Sequence, residues 1–222
     1  MRSKPGVGLA LGFIALCFGT MAAADPLAGR PLGTVRLTYY QVAQEQAAAG
    51  RGDVPVFGPD CRRVIAPTGR GFHDDLSLQG TGFLADGRLL NFEQRCACAE
   101  AGYAGLRSCY REVQRSEFPW GKGAYWNGQF FWLQPFRSVA VDPGIVPIGS
   151  VVYVPELAGK PLPDGTLSNG CLRAEDTGIA VKGQHMDWFI GPAPDRAWLR
   201  RHAPPRLVTA YAESRRCTRA FP

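Results

Sequence analysis

Beyond its first two dozen residues the chain has no apolar run long enough to cross a bilayer, so no transmembrane segment is expected in the remainder. It has no internal repeat and no heptad pattern, which removes solenoids and coiled coils from consideration. A glycine-rich nucleotide loop is missing, and so is a Ser-His-Asp order in a chain with only 3 histidines. We therefore expect no cofactor, and no nucleic-acid partner. Long helices are not expected either, because 27 glycines and 18 prolines are spread along 222 residues and break the chain into short strands and turns.

The apolar run that does exist lies at the start. Arg2 and Lys4 precede an apolar stretch over Val7–Thr20, and Ala22-Ala23-Ala24 offers a small-residue cleavage site before Asp25. Residues 1–24 thus read as a secretory signal peptide. Cys17 follows the bulky Leu16, which does not suit lipidation, so it is expected to leave with the signal. Cutting 24 residues from 222 leaves residues 25–222, and losing Arg2 and Lys4 lowers the formal charge from +6 to +4. A modest basic excess suits an anionic polymer surface without naming one.

Export puts the six remaining cysteines in an oxidising compartment. Cys61, Cys96, Cys98, Cys109, Cys171 and Cys217 are expected to form three disulfides, of open connectivity. The competing reading, a thiolate metal site at Cys96, Cys98 and Cys109, has the wrong spacing for zinc, and His73 is the only histidine near it. No metal is expected. Cys171 and Cys217 flank the C-terminal region, so at least one bridge should fasten it.

Pattern divides the chain in three. Thr34–Tyr40 alternates and is β-branched, which predicts a strand, whereas Gln41–Ala49 suits a short helix or a loop. The stretch from about 50 to 135 is irregular and cysteine-bearing, with a hairpin signal at Gly80–Leu84 and Arg88–Phe92. Strands are expected at Phe136–Val141, Val151–Val154, Cys171–Glu175, His185–Ile190 and Arg206–Tyr211, with a helix at Pro194–His202. Short strands with one small helix suggest a compact barrel, mainly β.

Within this pattern Ala174–Gly191 stands out. Asp176 opens an Asp-Thr-Gly turn. Asp187 lies inside His185-Met186-Asp187-Trp188-Phe189-Ile190, where a carboxylate gains nothing from turn geometry and is rarely buried without a partner. Strand alternation puts His185 and Phe189 on its face, with Met186, Trp188 and Ile190 on the other.

The segments Ala140-Val141-Asp142-Pro143, Val146–Pro155, Ala174–Gly178 and Lys182-Gly183-Gln184-His185-Met186-Asp187, in that order and spacing, resemble the 3D domain. That domain is named for three aspartates and occurs in the MltA family of membrane-bound lytic transglycosylases and in related cell-wall and spore proteins. Here the three are Asp142, Asp176 and Asp187. Leu37-Thr38-Tyr39-Tyr40 is similar to the family's opening strand. The resemblance implies a double-psi β-barrel with a cysteine-bearing insertion over about 50–135, a 3D core over about 136–191, and one domain spanning 25–222. It implies action in the periplasm or cell envelope on peptidoglycan glycan strands, cutting the bond between N-acetylmuramic acid and N-acetylglucosamine to leave 1,6-anhydro ends. Asp187 would be the catalytic acid and base, supported by Asp176, with Asp142, Thr38, Lys182 and His185 toward substrate. Two departures stand out: Ile179 replaces a glycine of the family's turn, and only residues 50–135 are available where those enzymes insert a large second domain.

Simpler roles stay open. Asp142 suits a turn before proline, Asp176 its own Thr-Gly turn, Lys182 a solvated loop and His185 a strand position. Trp120, Trp126 and Trp132 suit either sugar stacking or core packing. A non-catalytic barrel that binds peptidoglycan or another envelope protein is the competing function. An aspartic protease would need a second Asp-Thr-Gly, and the chain has one.

Overall fold

The computed structural model describes residues 29–46, 52–192 and 196–221. The expected signal peptide, and positions 47–49 of the alanine-rich stretch, lie outside the described residues. The organising element is β1, Arg30–Gln44. It runs through the expected strand and on through Gln41–Gln44, in place of the helix or loop expected there. Pairing explains the extension: Val42 is set against Pro192 and Ala43 against Gly82, and both are buried. Partners on both sides outweigh local preference.

Six strands close a barrel. They are β1, β9 (Ser138–Ala140), β10 (Val151–Tyr153), β11 (Cys171–Asp176), β12 (His185–Pro192) and β13 (Leu207–Ala212). The order is β12-β9-β11-β10-β13-β1, and the parallel β1–β12 pairing shuts the ring. Alternation decides which residues face in: Val35 and Leu37 of β1, Leu172 and Ala174 of β11, Met186, Trp188 and Ile190 of β12, and Val208, Ala210 and Ala212 of β13 form one buried cluster. Their neighbours in sequence, including His185, Asp187 and Phe189, therefore face out. The strand expected over Phe136–Val141 is shorter because Phe136 takes a left-handed φ of 62°. Its amide donates to the Phe189 carbonyl at 2.8 Å, and its ring packs on Trp188 and Trp198, which holds that uncommon conformation. The C-terminal helix α2 is observed at Arg196–His202, and Pro194 lies outside the described residues.

Residues 52–135 are more regular than expected. A hairpin of β2 (Val54–Phe57) and β3 (Val64–Thr68) leads to a ten-residue helix α1 (Arg70–Gln79). Then β4 (Thr81–Phe83), β5 (Leu89–Arg95) and β6 (Ser108–Val113) continue the sheet outward from the far end of β1. The expected hairpin across Ala85-Asp86-Gly87 is the β4–β5 pair. Phe72 and Leu76 of α1 pack with Ala43, Val56, Leu90 and Tyr110. Gly82 permits the close approach, since a Cβ there would stand 2.9 Å from Leu76 Cδ1. A further cluster of Val42, Leu89, Val113, Leu133 and Phe189 joins this layer to the outer face of the barrel.

A last hairpin, β7 (Lys122–Trp126) and β8 (Gln129–Trp132), lies across β11. Disulfides Cys61–Cys98 and Cys96–Cys109 staple the outer layer, and Cys171–Cys217 ties the start of β11 to the segment after β13. Cys96, Cys98 and Cys109, weighed as a thiolate metal site, lie with Cys61 so that the four sulfurs are within 4.8 Å of one another, and the four are paired as the first two of these bridges.

Candidate active site

Register builds the site. Parallel pairing of β1 with β12 sets Arg36 beside His185, Thr38 beside Asp187 and Tyr40 beside Phe189. On the other side of β12, Ala140 of β9 is in register with Asp187, and β9 in turn sets Ala140 beside Asp176 of β11. The two aspartates thus flank one small residue on the outer face, roughly 10 Å apart between Cα atoms at two strand spacings.

Each carboxylate has a hydroxyl donor from β1. Thr38 Oγ1 donates to Asp187 Oδ1 at 2.5 Å, and Tyr40 OH donates to Asp176 Oδ2 at 2.6 Å. The Thr177 amide also donates to Asp176 Oδ1 at 2.8 Å, a bond to the next residue rather than the two-residue reach of an Asp-Thr-Gly turn. His185 closes the other flank: its Nε2 lies 2.8 Å from Thr38 Oγ1 and its Nδ1 3.1 Å from the Ala180 carbonyl.

Burial sets the charges. It raises the Asp187 carboxyl above its ordinary range, opposed by the Thr38 bond, His185 and Arg36. Burial pushes Asp176 up to about 6, against the Tyr40 and Thr177 bonds, with Asp187 and Glu175 adding like-charge repulsion. Tyr40 is held well above the usual phenol range by burial, then by the neighbouring Asp176. An apolar setting and a like-charged neighbour are conditions that keep a carboxylic acid protonated nearer neutrality. Lys182 is not among the charges that act on the two aspartates; it adds a small contribution at Asp142, whose carboxyl is held low chiefly by the Gly183 and Gly144 amides.

Asp142 works on the backbone. Its Oδ1 accepts from the Gly144 amide at 3.0 Å and its Oδ2 from the Gly183 amide at 2.8 Å. It therefore starts its own turn and also clamps the loop that delivers β12. Ile179, at the position of the family's glycine, is exposed and is not in the left-handed region, so the exchange imposes no backbone strain.

Tyr40 and Ala140 belong to this site and went unread as site residues. Tyr40 stood in the quoted Leu37–Tyr40 segment, and strand alternation from Thr38 would have put it on the same face; Ala140 carried no chemical signal. Glu175 is buried and accepts from Ser138 Oγ, a contact internal to the sheet. Of the three tryptophans, Trp120 packs edge-on against Phe83 in the core, whereas Trp126 and Trp132 are exposed on the β7–β8 hairpin with Tyr125 and Phe130.

Known proteins can now be compared with this arrangement. Residues 137–197 match the model of the 3D domain family. That 3D segment supplies β9 through β12, hence both aspartates of the row, while Thr38 and Tyr40 come from β1 outside it. No curated protein sequence matches the chain. Among solved structures, Escherichia coli MltA with bound chitohexaose is 15% identical over 82% of this chain and 72% of its own, with a TM-score of 0.56. The membrane-bound lytic murein transglycosylase of Agrobacterium tumefaciens is 14% identical over 86% and 76%, TM-score 0.56. MltA of Neisseria gonorrhoeae is 13% identical over 81% and 72%, TM-score 0.53. At these identities the likeness is one of fold, and the fold is MltA-like.

Proposed function

We propose that the protein is a lytic transglycosylase acting in the cell envelope on the bond between N-acetylmuramic acid and N-acetylglucosamine of peptidoglycan. The observation that carries this reading is Asp187: a carboxyl on the outer face of the barrel, its proton affinity raised by burial, oriented by Thr38 at 2.5 Å, with Asp176 in the same row across Ala140. The 3D domain match and the MltA-like fold, one instance of which holds chitohexaose, support it.

The chemistry runs through one acid. Asp187 gives its proton to the glycosidic oxygen as the bond from muramyl C1 breaks, and the N-acetylglucosamine 4-hydroxyl departs. The resulting carboxylate takes the proton of the muramyl 6-hydroxyl while O6 bonds to C1, closing the 1,6-anhydro ring. Protons balance and no water is consumed, so the second carboxylate that hydrolytic glycosidases place at a defined distance is not needed as a nucleophile or base. Asp176, oriented by Tyr40, supplies negative charge near the cationic C1 as the bond breaks. Asp142 acts by holding the Gly183 turn, and Lys182 and His185, on either side of that turn in sequence, serve the glycan in this reading.

The test is clearance of purified sacculi by the mature protein beside Asp187→Asn. Clearance by the wild type with a loss of at least about a thousandfold in the variant is expected. Sacculi that both proteins bind and neither clears would make the chain a peptidoglycan-binding barrel.

A further inference from the structure

Thr38 sits between two groups that both want its single hydroxyl hydrogen. Its Oγ1 is 2.5 Å from Asp187 Oδ1 and 2.8 Å from His185 Nε2. The other ring nitrogen is committed: Nδ1 faces the Ala180 carbonyl at 3.1 Å, an oxygen that only accepts, so Nδ1 carries a hydrogen. Two arrangements satisfy all three contacts. In one, His185 is an imidazolium whose Nε2–H donates to Thr38, and Thr38 donates to an ionised Asp187. In the other, Asp187 is protonated and donates to Thr38, Thr38 donates to Nε2, and His185 is neutral. Both hold the same number of protons and interconvert by two short hydrogen shifts, with no atom or electron gained or lost.

We infer that His185, Thr38 and Asp187 form a proton relay in which one proton is shared between imidazole and carboxyl through the threonine hydroxyl. Register on β1 and β12 produces it, because Arg36–His185 and Thr38–Asp187 are successive same-face pairs of parallel strands. Among the described residues, Arg36 on β1 acts on Asp187, and Asp176 and Tyr40 feel the Asp187 charge from its other side. Burial, the largest influence on Asp187, favours the protonated carboxyl, and His185 and Arg36 favour the ionised one. A third arrangement, ionised Asp187 with neutral His185, leaves Nε2 without a donor. That is the state left when Asp187 has given up its proton, and it makes the carboxylate a stronger base until a proton returns.

The catalytic consequence rests on the proposed role of Asp187, but the relay itself does not, and its first test needs no activity. Long-range proton–nitrogen NMR of the three imidazoles, with His185 assigned by its loss in His185→Gln, follows ring protonation against pH. In the wild type the His185 ring signals should respond to Asp187 through the shared proton; in Asp187→Asn and in Thr38→Val that response should be lost and the ring should read as neutral with hydrogen on Nδ1. Titrations that superimpose in all three proteins would overturn the relay. The second arm is the pH profile of sacculus clearance by His185→Gln, whose amide still donates to Thr38 but stores no proton. A relay moves the alkaline limb to lower pH. Were His185 only a nearby positive charge, its removal would raise the proton affinity of Asp187 and move that limb to higher pH; an upward shift therefore refutes the relay while leaving the lytic reading intact.

Discussion

Asp176 folds into a place that disfavours its charge. Its carboxyl rises from 3.8 to about 6, chiefly through burial. A raised carboxyl stabilises the fold when protonated: the contribution is full below about pH 4 and is lost as pH climbs through about 6, a change of roughly 2–3 kcal/mol. Asp176→Asn cannot ionise, yet it keeps an acceptor for Tyr40. It should melt higher than the wild type at pH 8, by roughly 5–10 °C, and show no gain at pH 4. Equal differences at both values would contradict the burial of that charge. Tyr40→Phe keeps the ring against Phe189, 5.1 Å between centroids, and removes the donor to Asp176. Sacculus clearance near pH 6 should fall by about tenfold with a small change in melting temperature, because an Asp176 without its donor is more often protonated. Unchanged clearance would take Tyr40 out of the site. Asp187 was legible in the sequence because a carboxylate inside an aromatic strand has no local use. Tyr40 and Ala140 were not, because what makes them site residues is the register among β1, β12, β9 and β11, which is fixed by pairings between residues far apart in the chain, Thr38 with Asp187, Asp187 with Ala140 and Ala140 with Asp176.

The β7–β8 hairpin presents four exposed aromatic rings, Tyr125, Trp126, Phe130 and Trp132. Gly123 lets it lie flat on β11, since a Cβ there would fall 2.1 Å from the Glu175 carbonyl oxygen, one residue before Asp176. Tyr125 and Phe130 pack edge to face at 5.0 Å, and Lys122 Nζ stands 4.4 Å over the Phe130 ring, so these exposed rings are held rather than free. Trp132→Ala should weaken pelleting with sacculi by roughly three- to tenfold without lowering the melting temperature. A loss of stability with unchanged pelleting would return Trp132 to a packing role. Strands were the more legible elements: each barrel strand after Pro135 falls within the stretch expected for it or overlaps it closely, because one buried face and one outer face write a period of two. Helix α1 escaped notice. Arg70–Gln79 has few strong helix formers, and its helicity comes from Phe72 and Leu76 packing with Ala43, Val56, Leu90 and Tyr110, information that lies in other elements.

For the whole molecule, closure is what holds the site together, since the row Thr38, Asp187, Ala140 and Asp176 exists only while four adjacent strands of the ring stay paired. The Cys171–Cys217 bridge spans 46 residues and ties the segment after β13 to the start of β11. Replacing both cysteines by serine should cost about 2–4 kcal/mol and lower the melting temperature by roughly 5–15 °C. Clearance at low temperature should survive, because neither cysteine touches the row. An unchanged melting temperature would show that the barrel needs no such fastening.

The central claim is that one carboxyl, Asp187, cuts the glycan by returning its proton through ring closure. Mass spectrometry of the soluble products released from sacculi tests it most directly, because a 1,6-anhydro end is lighter than a hydrolysed reducing end by one water. Anhydromuropeptides from the wild type, and none from Asp187→Asn, are the expected result. Reducing ends would mean that water attacks and that a second carboxylate serves it; anhydro ends still produced by Asp187→Asn would place the acid elsewhere.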